Sequence, residues 1–231
     1  MKEAIILAGG LGARLYPLTL TVPKPMVPVS DKPFLEYLLN RLIEHGFSRV
    51  ILSVGYLGGQ IEAYFGEKWQ GLDLIYAYEK SPLGTGGAIA LALSFAKTKH
   101  ILVLNGDTFC AIDWQAMESA HIKKQADMTI ALKPMKDFDR YGNVKVVDGR
   151  IVSFDEKQHV VLGQINTGVY ILKKTLFASF SMPERFSFEV DFLQCKLSDV
   201  LVNAFMSDTY FIDIGIPEDY QRAQVELVSE L

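Results

Sequence analysis

Two rhythms of apolar and polar positions run along this chain. Short, largely apolar runs recur at Ala4 to Ala8, Arg49 to Val54, Leu72 to Tyr78, Ile101 to Leu104 and Met128 to Leu132. Runs of this length bounded by turn residues predict buried strands. Between them, apolar residues return at spacings of three and four. Pro33 to Gly46 is the clearest case, with Phe34, Leu35, Leu38, Leu39, Leu42 and Ile43 on one face and Gly46 as the stop. Gln60 to Phe65, Gly87 to Ala96 and Trp114 to Gln125 read as further helices. Strands alternating with helices in this way predict βαβ units. The expected class is α/β, a Rossmann-like, mostly parallel sheet flanked by helices.

The rhythm changes in the second half. Val144 to Val147 and Arg150 to Phe154 flank Asp148-Gly149, a two-residue turn that predicts an inserted β-hairpin. Gly168 to Leu172 follows as a strand, and Ser187 to Leu197 as a helix capped by Ser187. Tyr210 to Ile214 is a last strand, leading into a closing helix over Pro217 to Leu227 with proline at its start. No linker, repeat or low-complexity tract intervenes. One domain over residues 1–231 is therefore expected, its two parts meeting near residue 135.

Composition narrows the partners. With 231 residues and 49% hydrophobic positions the chain can build a substantial core. A net charge of −4 gives no general basic field, so neither nucleic acid nor an anionic membrane surface is an expected partner. An anionic small molecule would have to be captured by local charges. No apolar run approaches the ~18 residues needed to span a bilayer. Met1-Lys2-Glu3 opens no signal peptide. Two cysteines, Cys110 and Cys195, are too few for a disulfide framework. Both read as core thiols in a reducing cytoplasm.

Ligands of open α/β sheets gather at the carboxyl ends of the strands. Gly9, Gly55, Glu79 and Asp107 all fall at such ends. The densest chemistry lies between Leu7 and Pro25, where Gly9, Gly10 and Gly12 precede Arg14 and Lys24. Glycine lets bare N–H groups approach a ligand. Arg14 is a planar fork suited to phosphate oxygens, and Lys24 is a point charge held between Pro23 and Pro25. The loop reads as a polyphosphate cradle. It fits neither standard motif: position 15 is leucine, no acid closes the strand at Ser53-Val54-Gly55, and no Gly-Lys-Ser/Thr occurs. Two acids stand out further on. Asp107 follows Asn105-Gly106, a triplet that on composition alone reads first as a turn. Asp213 sits in the apolar run Phe211 to Ile214, where it needs a cation or a capping role.

Leu7-Ala8-Gly9-Gly10-Leu11-Gly12-Ala13-Arg14-Leu15, followed by Pro23-Lys24-Pro25, resembles the signature of the sugar-1-phosphate nucleotidyltransferases. The resemblance implies a nucleotide wrapped by Leu7, Ala8, Gly9, Gly10 and Gly12, with Arg14 and Lys24 on its phosphates. It also implies a Mg²⁺ ion held by Asp107 and Asp213, an ion suited to hard oxygen ligands. Glu79 to Gly87 is similar to the family's base-reading loop, which would add Glu79, Gly84 and Thr85 to the nucleotide site. A carboxylate only accepts hydrogen bonds. Glu79 would therefore suit the two adjacent donors of guanine and repel the carbonyls of thymine or uracil.

Further matches imply a sugar-phosphate site of Gly106, Tyr141, Gly142, Glu156, Lys157, Asn166 and Glu189, with Lys157 on the sugar's phosphate. Without the resemblance Lys157 is an ordinary surface lysine. Phe138 to Gly142, Phe186 to Phe192 and Phe211 to Tyr220 look most like the branch that guanylylates D-glycero-α-D-manno-heptose 1-phosphate. Arg14, Lys24, Asp107, Lys157 and Asp213 would then carry catalysis, joining an NTP (GTP by preference) to a sugar 1-phosphate. A mannose-1-phosphate guanylyltransferase, a uridylyl- or thymidylyltransferase and a non-catalytic nucleotide-sugar sensor stay open as alternatives. So does a homo-oligomer. The β-helical extension of some relatives is expected to be missing.

Overall fold

A computed structural model describes residues 1–229. Strand β1 (Glu3–Leu7) is followed by three short 3-10 turns, at Ala13–Leu15, Leu18–Leu20 and Lys24–Met26. The ladder of β2 (Pro28–Val29) with β3 (Lys32–Pro33) leads into α1 (Phe34–Glu44) and β4 (Arg49–Val54). Then come α2 (Gly58–Phe65), β5 (Lys68–Trp69), β6 (Leu72–Tyr78), α3 (Gly84–Ser94), β7 (His100–Asn105), β8 (Thr108–Cys110) and α4 (Trp114–Lys123). The second half contains β9 (Met128–Phe138), β10 (Gly142–Val147), β11 (Arg150–Lys157) and β12 (Val160–Lys173). A π-helical segment (Phe188–Gln194), β13 (Val202–Met206), β14 (Phe211–Asp213) and α5 (Pro217–Ser229) complete it.

Ten strands form one mixed sheet in the order β10-β11-β13-β9-β12-β7-β1-β4-β6-β5. The expected parallel core is there: β7, β1, β4 and β6 run parallel to one another. Beyond it, β12 runs antiparallel to both β7 and β9, so the sheet continues into the second half without a break. Successive strand residues face opposite sides, and both sides are covered here. Ile6, Leu52 and Leu104 lie in the core shared with α1, α4 and α5. Ile5, Ile51 and Val103 lie in the core shared with α3 and the π-helical segment. That two-sided burial explains why these strands are apolar throughout.

The expected hairpin forms across Asp148-Gly149, with Val147 opposite Arg150. The second half holds more strand than its sequence predicts. β9 runs on to Phe138 and β12 begins at Val160, because their outer halves hydrogen-bond to each other as a long antiparallel arm. β13 was not expected; Asn203 and Ala204 blur its apolar pattern, and pairing with β9 and β11 makes it a strand. Ser187 caps its segment as expected, its Oγ accepting from the Val190 N–H at 3.1 Å. The segment itself is π-helical and ends at Gln194. α3 starts at Gly84, three residues ahead of expectation, since its glycines let another segment pack against the first turn.

His121 on α4 is fully buried. Its Nδ1 lies 2.9 Å from Thr129 Oγ1 and its Nε2 2.8 Å from His100 Nδ1. Burial first, then the nearby His100 and Lys173, push His121 down to about 4 from 6.5. The unfolded chain therefore takes up a proton that the fold resists. Stability held above pH 6.5 should decline as pH falls towards 4, by roughly 3 kcal/mol for this one group. Urea unfolding of the wild type and of His121→Gln across that range should show a shallower acid slope in the variant.

Candidate active site

A cavity of about 540 Å³ opens at the carboxyl ends of β1, β4 and β7. Leu7, Ala8, Gly9, Gly10, Lys24, Glu79, Gly84, Thr85, Gly106 and Asp107 all line it. Three strand ends converge because their residues are small. The Gly106 N–H donates to the Leu7 carbonyl at 2.9 Å, and the Ala8 N–H to the Ser53 carbonyl at 2.8 Å. A Cβ on Gly106 would stand 2.4 Å from the Leu7 carbonyl oxygen. Gly10 differs: nothing lies within 4 Å of its missing Cβ, which leaves a ligand room at the backbone. Gly12 turns the loop with φ +65°.

The charged groups meet beside this floor. Lys24 is 7% exposed, and its ammonium is ion-paired with Asp107 Oδ2. Asp213 arrives from far along the chain. β14 pairs antiparallel with β8, setting Asp213 opposite Thr108, next to Asp107. The Ile214 N–H then donates to the Asp107 carbonyl at 2.9 Å, and the Gly215 N–H to Asp213 Oδ1 at 2.7 Å. A Cβ on Gly215 would stand 2.7 Å from Asp213 Oδ1, 3.1 Å from Arg14 Nη2 and 3.2 Å from Lys24 Nζ. Two acids and two bases thus share one small volume.

Burial pushes the Asp213 carboxyl above the usual carboxylate range and the Asp107 charge adds to this, while Lys24, the Gly215 N–H and Arg14 pull it back. Among the described residues no group of three or more His, Cys, Asp or Glu could hold a metal. Asp107 and Asp213 supply two hard oxygen ligands side by side. That donor set fits Mg²⁺, which usually keeps waters and phosphate oxygens in its shell.

Glu79 is half-buried. Its Oε2 accepts from the Leu83 N–H at 2.9 Å, and its Oε1 would touch a Cβ on Gly9 at 2.5 Å. One oxygen ties the loop, and the other faces the glycine floor.

The residues expected at the sugar phosphate are less tightly gathered. Tyr141 lies beside Asp213; burial, then the Asp213 charge, push its phenol up. Its ring stands edge-on to Phe211 at 6.0 Å. Asp213, Arg140 and Tyr141 share a smaller groove of about 300 Å³. Arg140 anchors this turn to α5 through Asp219 at 2.5 Å. Gly142 lets β10 cross β11, since a Cβ there would stand 2.6 Å from the Asp155 carbonyl oxygen. Asn166 donates to the Tyr170 hydroxyl at 2.9 Å and accepts from the Gly168 N–H at 3.0 Å, shaping the bulge in β12. Glu189 Oε2 accepts from Thr85 at 2.7 Å.

Lys157 is exposed opposite Gly142, without an ion-pair partner among the described residues. Glu156 lines a separate groove with Gln194, Cys195 and Leu197. Adjacent strand residues face opposite ways, so these two side chains part company.

Asn105 and Gly215 were not expected in the site. Asn105 lines the cavity and packs against Gly168, although its triplet reads as a turn. Gly215, two residues past Asp213, adjoins three of the charged groups. Cys110 is buried as expected, and burial pushes its thiol up. Cys195, the C-terminal cap of the π-helical segment, is exposed, against expectation.

The chain is similar to known proteins over nearly its whole length. It is 48% identical over 225 residues to the D-glycero-alpha-D-manno-heptose 1-phosphate guanylyltransferase of Aneurinibacillus thermoaerophilus, covering 97% of this chain and 98% of that protein. The enzyme of the same name from Campylobacter jejuni is 46% identical over 219 residues, covering 94% and 96%. Among solved structures, HddC from Yersinia pseudotuberculosis, complexed with GMP-PN, superposes with a TM-score of 0.87 at 37% identity, covering 98% of this chain and all of that one. A family model for nucleotidyl transferases matches residues 3–230. The chain belongs to the nucleotidyl transferase family.

Proposed function

We propose that this protein transfers GMP from GTP to D-glycero-α-D-manno-heptose 1-phosphate, releasing pyrophosphate. The observation that carries the reading is the meeting of Arg14, Lys24, Asp107 and Asp213 at one end of the glycine-floored cavity. The named relatives at 48% and 46% identity support the choice of base and sugar.

A phosphate oxygen of the sugar 1-phosphate attacks the α-phosphorus of GTP, and the bond to pyrophosphate breaks. The nucleophile is already anionic, so little proton transfer is needed. Bringing two anions together is the difficulty, and positioning with charge neutralisation answers it. Arg14 and Lys24 neutralise the triphosphate, and Lys157 holds the sugar's phosphate. Asp107 and Asp213 would hold Mg²⁺, which when bound supplies Lewis-acid neutralisation of the phosphate oxygens. Glu79, accepting only, selects guanine. Residues 1–231 act as one catalytic domain, which the unbroken sheet supports. Among the described residues no helix is long and apolar enough to cross a membrane; a cytoplasmic location is part of the same proposal.

Asp107→Asn should lower kcat by about a thousandfold or more while GTP binding survives in part. Pyrophosphate release measures this, and near-normal turnover would refute the metal role. Glu79→Gln should lower kcat/KM for GTP by roughly ten- to a hundredfold and narrow the preference over UTP and dTTP. A panel of four nucleotides and several sugar 1-phosphates reads that directly, and also tests the choice of substrates. Gly215→Ala should cost about tenfold or more in kcat/KM, since its methyl displaces the charged heads, with a melting temperature close to wild type.

A further inference from the structure

The first turn of α3 borders the nucleotide cavity, yet its contacts lead away from it. A Cβ on Gly84 would stand 2.6 Å from the Phe186 carbonyl oxygen, one on Gly86 2.2 Å from the Phe186 ring, and one on Gly87 2.4 Å from the Glu184 carbonyl oxygen. These glycines let residues 184–188 press against the turn. Backbone bonds close the seam in both directions: the Gly86 N–H donates to the Phe186 carbonyl, and the Phe186 N–H to the Leu83 carbonyl, each at 3.0 Å.

Thr85 stands at the end of this seam. Its hydroxyl accepts from the Phe188 N–H at 2.8 Å and donates to Glu189 Oε2 at 2.7 Å. A hydroxyl has one proton to give, and here Glu189 receives it. Ser187 Oγ donates to the same oxygen at 3.2 Å. Glu189 Oε2 is thus held by two donors, while Oε1 has no hydrogen-bond partner among the described residues. The carboxylate lies near the buried Tyr170 phenol, which also feels the charge of Asp107 and takes a hydrogen bond from Asn166. A carboxylate oxygen left open one hydrogen bond away from Thr85, a residue of the cavity wall, is an acceptor for hydroxyl donors, the chemistry of a polyol.

We propose that Thr85, although it sits on the nucleotide loop, is a positioning residue for the acceptor sugar: its hydrogen bond aims Glu189 at the hydroxyls of the sugar 1-phosphate. This rests on the sugar-nucleotide reading above and deepens it. The link also joins the two substrates. Glu79 Oε2 takes the Leu83 N–H, the Leu83 carbonyl takes the Phe186 N–H, and Thr85 holds Glu189 two residues beyond Ser187.

Thr85→Val keeps the shape and removes both hydrogen bonds. It should raise the KM for heptose 1-phosphate by about tenfold, while the Kd for GTP, measured by calorimetry, stays within about twofold. Thr85→Ser restores the hydroxyl and should return the sugar KM to near wild type. Glu189→Gln should produce the same sugar-specific rise, and Thr85→Val added to it should cost little more. A Thr85→Val sugar KM equal to wild type, a GTP Kd that rises as much as the sugar KM, or additive losses in the double variant would overturn the proposal. If Thr85→Val does not fold, a normal sugar KM in Glu189→Gln overturns it instead. A wild-type chain that binds both substrates but releases no pyrophosphate defeats the transferase reading alone, because calorimetry of heptose 1-phosphate against the GTP-loaded variants still decides the role of Thr85.

Discussion

Two carboxylates that repel each other are held side by side, and the rest of the site follows from that constraint. The short β8–β14 ladder sets Asp213 next to Asp107, and the Ile214 N–H locks the arrangement onto the Asp107 carbonyl. Burial alone already disfavours the charged form of Asp213, and a like charge beside it makes matters worse. Such a pair persists as ions only where opposite charge is supplied. Lys24 and Arg14 supply it, from the loop that follows the carboxyl end of β1. The glycine loop and the acid pair are therefore one electrostatic unit built from two distant stretches of chain.

Glycine has two separate uses around this unit. Gly9, Gly55 and Gly106 let neighbouring strand ends approach until backbone touches backbone; a Cβ on Gly55 would stand 3.1 Å from the Gly9 carbonyl oxygen. Gly84, Gly86 and Gly87 do something else. They let the second half of the chain pack onto the first turn of α3, which brings Phe186 against the glycines and Glu189 within hydrogen-bond reach of Thr85. Among the glycines lining the cavity, Gly10 alone has open space beside it, the geometry of a residue kept small for a ligand. A glycine-rich motif thus combines packing and binding, and spacing alone does not separate the two.

The antiparallel second half owes its placement to β12. Its inner part pairs with β7, and its outer part forms the long arm with β9. The bulge between them, held by Asn166 and Gly168, lies against Asn105 at the cavity. The break in the ladder is therefore also the point where the second half meets the first strand ends. Arg140 and Asp219 fasten the arm to α5, so Tyr141 is held near Asp213 from two sides.

Local sequence determined a good deal. The apolar runs of β1, β4, β6 and β7 and the spacing in α1 are legible because each is buried by its own pattern. The Asp148-Gly149 hairpin and the Ser187 cap are legible because their hydrogen bonds close within a few residues. The glycine cradle with Arg14 and Lys24 is legible because its chemistry lies within one loop. What tertiary structure alone decided is long-range. The outer halves of β9 and β12, and all of β13, are strands only by virtue of their partners. That Lys24 pairs with Asp107 and that Thr85 turns to Glu189 depend on which distant backbones meet. A residue's type states what it can bond with, but its partner is whichever group the folded chain carries within three ångströms of it.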